Sequence, residues 1–119
     1  MVRNRLELEN LLKTLDCGVF YNHTTKKDVV NFPYIVYLDD GTNNFDADNQ
    51  VYQEIMEYVV IVHCLERDEP VIKKLKNLFN ENKIPYELNG IDWNDQTLFY
   101  SVSFIISLLE TETDPPYSI

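Results

Sequence analysis

The stretch "VYQEIMEYVVIVHCLERD", residues 51 to 68, constrains the fold most, because its apolar residues fall on both sides of an extended chain. In a strand, alternate side chains point to opposite faces of the sheet. One face would carry Met56, Tyr58, Val60, Val62 and Cys64, and the other Val59, Ile61 and Leu65. A strand that is apolar on both faces needs cover on both. We expect helices of the chain to cover one face, and a second copy is the candidate cover for the other.

A helix is predicted over about residues 4 to 15. Its apolar stripe is formed by Leu8, Leu11, Leu12 and Leu15. Residues three and four apart share a helix face, so this stripe would pack on a sheet. Gly18 is placed to end the helix with a left-handed C-cap.

A second helix is predicted after Asp68, its expected N-cap, with Pro70 in the first turn, where a missing N–H costs nothing. Its apolar stripe is Val71, Ile72, Leu75, Leu78 and Phe79. Lys73, Lys76 and Lys83 lie on the other side and are interpreted as a solvated face, with Glu69 and Lys73 spaced for an i,i+4 pair. A docking face is the alternative interpretation of this lysine row.

The remaining apolar segments predict strands. "PYIVYL" begins at Pro33, and "IPYELNGIDWND" ends in a polar turn. In "TLFYSVSFIISLLE" the alternating apolar residues are Leu98, Tyr100, Val102, Phe104, Ile106 and Leu108. The links between neighbouring strands have hairpin length. The order predicts an α+β fold, with a mainly antiparallel sheet and two helices packed on it. Residues 1–110 would form this single domain, and Pro115 and Pro116 would make 111–119 a loose tail.

Length and charge bound the function. A chain of 119 residues is one domain that can bury its own core. Its formal charge of -10 argues against a nucleic-acid-binding module, because such binding neutralises phosphates with Lys and Arg. With no run of 18 apolar residues and no apolar signal core, the sequence predicts a soluble protein of the cytoplasm with no membrane partner.

The stretch "DDGTNNFDADNQVY", residues 39 to 52, raises the question of a calcium loop. An EF-hand register from Asp46 places Asp48, Gln50 and Glu57 at ligand positions. The sixth position, which needs the sharp turn of a glycine, is instead the β-branched Val51. Aspartate and asparagine also hydrogen-bond local backbone in turns, so we predict a polar loop and no metal site.

The sequence contains no recognisable signature of catalysis. His23 and His63 fit no nucleophile or metal-ligand pattern, and the adjacent His63 and Cys64 would point to opposite faces of a strand. Cys17 and Cys64 are expected to be reduced and structural. Gly18, Gly41 and Gly90 stand singly, each at a predicted turn or cap, so no phosphate loop is expected. We predict no enzyme, no catalytic residue and no cofactor. A small hydrolase or binding module with a cleft near His63 and the aspartates is the alternative from another class.

Five segments carry a resemblance to a known group of proteins. They are "FPYIVYL" at 32 to 38, "NNFDADNQVY" at 43 to 52, "YVVIVHCLERD" at 58 to 68, "IPYE" at 84 to 87 and "QTLFYSVSF" at 96 to 104. With these, the chain resembles the tail-completion, or tail-terminator, proteins that join tail to head in long-tailed phages and prophages of Gram-positive bacteria. The resemblance implies an α+β subunit of a ring, commonly a hexamer, that contacts the tail tube and the head connector in the virion.

The resemblance also implies a long loop between two strands, with "ADN" at 47 to 49 its most recognisable element. No catalytic residue is implied, because these proteins are structural. We predict that the 42–50 loop is an interface element led by Phe45, Asp46, Asp48 and Asn49, since it is long and polar and holds one aromatic. A plain solvated loop is the alternative interpretation of residues 42–50. For the protein as a whole, the alternative is a head-completion or adaptor protein from the same gene cluster.

Overall fold

The computed structural model describes residues 2, 4–22, 31–44 and 53–111, with the backbone alone described at 40–44, 53–54 and 109–111. Two helices, α1 (Arg5–Leu12) and α2 (Pro70–Glu81), accompany five strands, and a 3₁₀ turn (Lys13–Leu15) extends α1. The strands are β1 (Gly18–Tyr21), β2 (Tyr34–Asn44), β3 (Gln53–Cys64), β4 (Tyr86–Asn94) and β5 (Phe99–Thr111). Their order across the sheet is β1-β2-β3-β5-β4.

The predicted fold class is confirmed: the molecule is α+β, with two helices and a mainly antiparallel sheet. β1 alone runs parallel to its neighbour, β2, and every other described pairing is antiparallel. The predicted tail lies outside the described residues except for Thr111, which ends β5. No helix in the described ranges is long and apolar enough to cross a membrane.

Both helices pack on the same face of the sheet. Leu8 and Leu12 of α1 and Val71, Leu75 and Phe79 of α2 are buried in one core with the sheet. The core residues from the three central strands are Ile35, Tyr37, Tyr58, Val60, Val62, Cys64, Val102, Phe104, Ile106 and Leu108. These are the inward positions of β2, β3 and β5, so the helix stripes and the predicted face of β3 are confirmed, with Met56 only partly buried at its end.

A polar network ties α1 to the sheet. The buried Tyr37 hydroxyl donates a hydrogen bond to Glu9 Oε1 and accepts one from Arg5 Nη1 at 2.9 Å. Glu9 also lies 3.1 Å from Lys13 Nζ, and the Arg5 guanidinium stacks 4.2 Å from the Tyr21 ring centroid. The hydrogen bond from Tyr37 lowers the pKa of the Glu9 carboxyl, since it stabilises the ionised form. This network fixes where α1 sits on the sheet.

The predicted roles of the three glycines are wrong. Asp16, with φ of 61°, supplies the left-handed residue after the 3₁₀ turn, and Gly18 is the first residue of β1. There a Cβ would lie 3.0 Å from Cε2 of Phe20, so a larger residue at position 18 would push the Phe20 ring aside by a few tenths of an ångström, and Gly18 has no role as a cap. Gly41 and Gly90 lie within β2 and β4, each beside a register shift. Glycine in a strand often marks such a bulge.

Three smaller expectations at element ends also fail. β2 begins at Tyr34, so Pro33 precedes the strand. The N-cap of α2 is Glu69, whose carboxylate accepts a hydrogen bond from Val71 N, and Asp68 lies in the preceding turn. Leu98 belongs to the turn before β5 and is 61 % exposed, so it does not continue the buried alternation of that strand.

Candidate interaction surface

The predicted interface residues Phe45, Asp46, Asp48 and Asn49 lie outside the described residues. The start of the predicted 42–50 loop is wrong, because β2 continues through Asn44. Thr42, Asn43 and Asn44 pair with Met56, Ile55 and Glu54 of β3. Backbone hydrogen bonding to β3 therefore extends β2 into this Asp- and Asn-rich stretch, although its composition favours a turn.

The face of the sheet opposite the helices, called here the second face, is mainly apolar at its centre. Strand register places Val36, Ile61 and Ser103 side by side across β2, β3 and β5. Leu38, Val59 and Ile105 form the next row. Ser101 and Ser107 continue this face along β5. The second face is therefore a stripe of aliphatic side chains bordered by serines.

The second face is covered less than the core face. On the second face Val36 is buried at 7 % exposure, but Leu38, Val59, Ile61 and Ile105 are only half-buried. Their sequence neighbours on the core face are fully buried under the helices: Tyr37, Val60, Val62, Phe104 and Ile106. Both described helices lie on the core face. A strand sequence that is apolar on both faces thus has one face covered by the described helices and another that retains partly accessible aliphatic surface.

One end of the second face is aromatic. His63 packs between Tyr34 and Phe99, with ring centroids 4.9 and 5.1 Å away, and Phe32 contacts both of these rings. The Nδ1 atom of His63 lies 3.0 Å from the Ser101 hydroxyl. Burial lowers the pKa of the imidazole below its ordinary 6.5. His63 is therefore a packed and hydrogen-bonded part of this surface.

The pKa of His63 has a measurable consequence for stability. As pH falls below about 6.5 the unfolded chain takes up a proton that the folded chain resists, so the free energy of unfolding decreases. We expect denaturant unfolding between pH 7 and pH 5 to show a smaller decrease for His63→Gln than for the wild type. His23 is present in both chains and cancels in the comparison. Parallel pH profiles for the two chains would contradict the assignment.

The sequence leaves open a cleft that joins His63 to the aspartates, but the sheet places His63 and Asp39 on opposite faces. Asp39 has the parity of the core-facing positions of β2, and its carboxylate accepts a hydrogen bond from the Tyr21 hydroxyl at 2.7 Å. His63 lies on the second face, opposite Tyr34. Asp39 and His63 therefore do not form one site. His23, Asp46 and Asp48, and the side chain of Asp40, lie outside the description.

The cysteines belong to the core side. Cys64 is fully buried and Cys17 is half-buried against the core, and both are free thiols, as expected. Burial raises the pKa of each thiol, which disfavours the reactive thiolate. Within the described ranges no group of three His, Cys, Asp or Glu side chains is placed to hold a metal ion.

The β4–β5 hairpin presents a second accessible apolar surface that the sequence reasoning missed. Leu88, Ile91 and Trp93 of β4 and Leu98 of the turn are all exposed. β4 is an edge strand, since it pairs with β5 alone in the described sheet. Trp93 packs on Tyr100 with ring centroids 4.8 Å apart, and its Nε1 donates to Asp95 Oδ1 at 2.7 Å. We call Leu88, Ile91, Trp93 and Leu98 the hairpin patch.

Leu98 is conspicuous within the hairpin patch on two counts. Its φ is 63°, a left-handed conformation that a branched side chain disfavours, and its side chain is among the most exposed of the large apolar ones described. Neither burial nor backbone preference accounts for a leucine at this turn.

Comparison with known proteins indicates no family for this chain. A scan against protein-family models and a search of curated proteins each find no match to this chain.

Proposed function

We propose that this chain is a structural subunit of phage or prophage particles, of the tail-completion or tail-terminator type, which assembles into a ring between the tail tube and the head connector. The observation that carries the proposal is the second face: four half-buried aliphatic side chains on the central strands of the sheet, away from both described helices. A surface of this kind gains stability when sister copies or neighbouring rings exclude water from it.

The edges of the sheet support assembly in the same way. β1 and β4 each have one neighbour in the described sheet, so each leaves a row of backbone donors and acceptors for another chain. A head-to-tail contact between two different surfaces of a subunit closes into a ring when the rotation between copies divides a full turn. Ring closure would leave no edge unpaired, and six copies is the number that the resemblance implies.

The acidity of the chain also fits a conduit for DNA. With a formal charge of -10 per subunit, a ring multiplies the negative charge around its channel. A negative lining repels phosphates and lets DNA slide without being held. The resemblance of the segments at 32–38, 58–68 and 96–104 to tail-completion proteins is the further support for the phage setting, and the virion is then the final location of the protein.

Electron microscopy of particles made without this gene tests the proposal. We expect filled heads and separate tails of irregular length, because an open tail tube would have no terminating ring. Complementation with the wild-type gene should restore joined particles. Tails of uniform length beside leaking heads would assign the chain to head completion, and intact, joined particles would remove the structural role altogether.

A further inference from the structure

The two edge strands of the described sheet run in opposite directions. β1 is parallel to β2, and the pairings of β2 with β3, β3 with β5 and β5 with β4 are all antiparallel. When copies of this sheet lie side by side in the same orientation, β4 of one copy therefore meets β1 of the next as an antiparallel neighbour. Without the parallel β1–β2 pairing, the two edges would meet in parallel, which is slightly less stable per residue.

The outer edge of β1 presents backbone groups at defined positions. Asn22 N donates a hydrogen bond to Tyr37 O at 2.8 Å, so the backbone of Asn22 is turned toward β2. Successive residues of a strand turn their N–H and C=O groups to alternate sides, so the groups of Phe20 also point to β2, and those of Val19 and Tyr21 point away from it. No strand of the described sheet lies on that outer side. These outward groups are therefore placed to bind another strand.

The other edge strand, β4, separates apolar from acidic side chains. Its pairing with β5 places three residues of the hairpin patch on the face that carries the helices: Leu88, Ile91 and Trp93. The same register places Glu87, Gly90 and Asp92 on the second face. The three apolar side chains remain exposed, although both described helices lie on their side of the sheet. A neighbour that brings its own helix to this edge would cover them.

The charges of the edge strands favour pairing of β4 with β1 over pairing of like edges. Two β4 strands in antiparallel pairing would bring Glu87 and Asp92 of both copies together on the second face, where like charges repel. β1, with the sequence GVFY, has no charged residue. It also carries α1 above it, since the Arg5 guanidinium stacks on the Tyr21 ring. Two paired β1 strands would leave the hairpin patch exposed.

We propose that β4 of one copy pairs antiparallel with β1 of the next, so that successive sheets join into one sheet with every helix on the same side. In the register that keeps Phe20 away from a carboxylate, Val19 lies opposite Ile91 and Phe20 opposite Gly90. An aromatic ring can then cover the glycine of an edge strand. The inference rests on the proposed function in that copies assemble head to tail, and it names the two edges that meet.

Disulfide trapping with cysteines at positions 20 and 90 tests the pairing. Because the backbone of Phe20 is turned toward β2, Phe20 would take a non-hydrogen-bonded position against β4, with Cα atoms about 4.5 Å apart, within the range for a disulfide. Gly90 accepts a side chain, since a Cβ there would meet its nearest atom at 3.6 Å. Within one chain the two positions lie on opposite edges, about 19 Å apart, so a 20–90 disulfide must join two copies.

Full-length chains with Phe20→Cys and with Gly90→Cys, both also Cys17→Ser, are mixed and oxidised at about 1 mM, where even weak contacts are populated. We expect 20–90 disulfides, identified by mass spectrometry of the peptides, to exceed 20–20 and 90–90 disulfides at least about tenfold. A single chain carrying Phe20→Cys and Gly90→Cys should give a ladder of linked dimers, trimers and longer species on a non-reducing gel, because each copy then links to two neighbours.

Proline at position 19 provides the matched control. Val19→Pro removes an N–H that points away from β2, a position where an edge strand tolerates proline, whereas Val19→Ala trims the side chain and keeps the N–H. In the mixing experiment, Val19→Pro on the Phe20→Cys chain should decrease the 20–90 disulfides about tenfold or more, because an acceptor on β4 loses its donor. Val19→Ala should keep most of them. Thermal unfolding verifies that both chains are folded.

The pairing is overturned if 20–90 disulfides do not exceed the 20–20 and 90–90 disulfides, or if a folded Val19→Pro chain forms them as well as the Val19→Ala chain does. An excess of 20–20 or 90–90 disulfides would assign two-fold pairing of like edges instead. This result is separate from the test of the proposed function. Unjoined particles in the deletion strain without 20–90 disulfides would overturn the edge pairing alone, whereas joined particles with 20–90 disulfides would remove the phage role and leave the pairing.

Discussion

Phe104→Ala is expected to lower the free energy of unfolding by about 3–5 kcal/mol, the range for removing a fully buried aromatic side chain. Phe104 is 0 % exposed and lies at the centre of β5, between Val60 of β3 and Leu88 of β4. Its ring makes edge contacts with Phe79 and Tyr86, at centroid distances of 6.2 and 5.9 Å. The substitution would leave a cavity at the junction of α2 with the sheet.

The matched control is Phe32→Ala, which removes the same side chain from a position that is 38 % exposed. The described ring contacts of Phe32 are with Tyr34 and Phe99, at the aromatic end of the second face, so its loss from an exposed position should cost about 1 kcal/mol. Urea unfolding of the two variants at pH 7 measures both values. Because a domain of this size has about 5–15 kcal/mol in total, Phe104→Ala should shift the midpoint strongly. Equal shifts for the two variants would contradict the described core.

The parts of this fold that the sequence predicts are those with a long, regular period. The stripe of α2 from Val71 to Phe79 and the alternation from Tyr100 to Leu108 in β5 each span nine residues of one element. β1 was not predicted as a strand because it has only four residues, Gly18–Tyr21. It is stabilised by parallel pairing with β2, a long-range contact that a local pattern does not contain.

Local turn signals failed where tertiary pairing was stronger. Gly41 and the asparagines after it have turn composition, yet β3 supplies ladder partners for them through Asn44. The cap residues differ by one or two positions from the expected ones, Asp16 for Gly18 and Glu69 for Asp68, because the end of a helix is the part of the element that a sequence pattern defines least precisely. These are differences of position within elements that were otherwise expected.

The two candidate surfaces differ in how well the sequence could reveal them. The second face is predicted by the apolar residues on both sides of β3, where the adjacent Val59 and Val60 point to opposite faces of the sheet. The hairpin patch was hidden by the register shift between Leu88 and Gly90, which sets Leu88 and Ile91 three positions apart on one face. An alternation search fails across such a bulge. The signal that remained was an unexplained Trp93 between two polar residues.

Replacing Val59 and Ile105 together by threonine is expected to abolish head–tail joining while leaving the monomer folded. The two residues are paired across β3 and β5 in the middle of the second face, and both are half-buried in the single chain. Threonine keeps the β-branched shape that a strand favours but replaces apolar surface by a hydroxyl, so at these half-buried positions each substitution should cost the isolated fold about 1 kcal/mol.

The same substitution is far more costly at a buried contact between copies, because each interface would enclose two hydroxyl groups without designed partners. At about 1–3 kcal/mol for each hydroxyl, the dissociation constant should rise about 30-fold or more. Complementation of the deletion strain, scored as joined particles by electron microscopy, measures the loss, and thermal unfolding verifies the fold. Leu65→Thr is the control, since Leu65 is 56 % exposed in the turn after β3 and lies outside the sheet. Full complementation by the Val59→Thr/Ile105→Thr chain would mean that water, and not a partner, covers the second face in the particle.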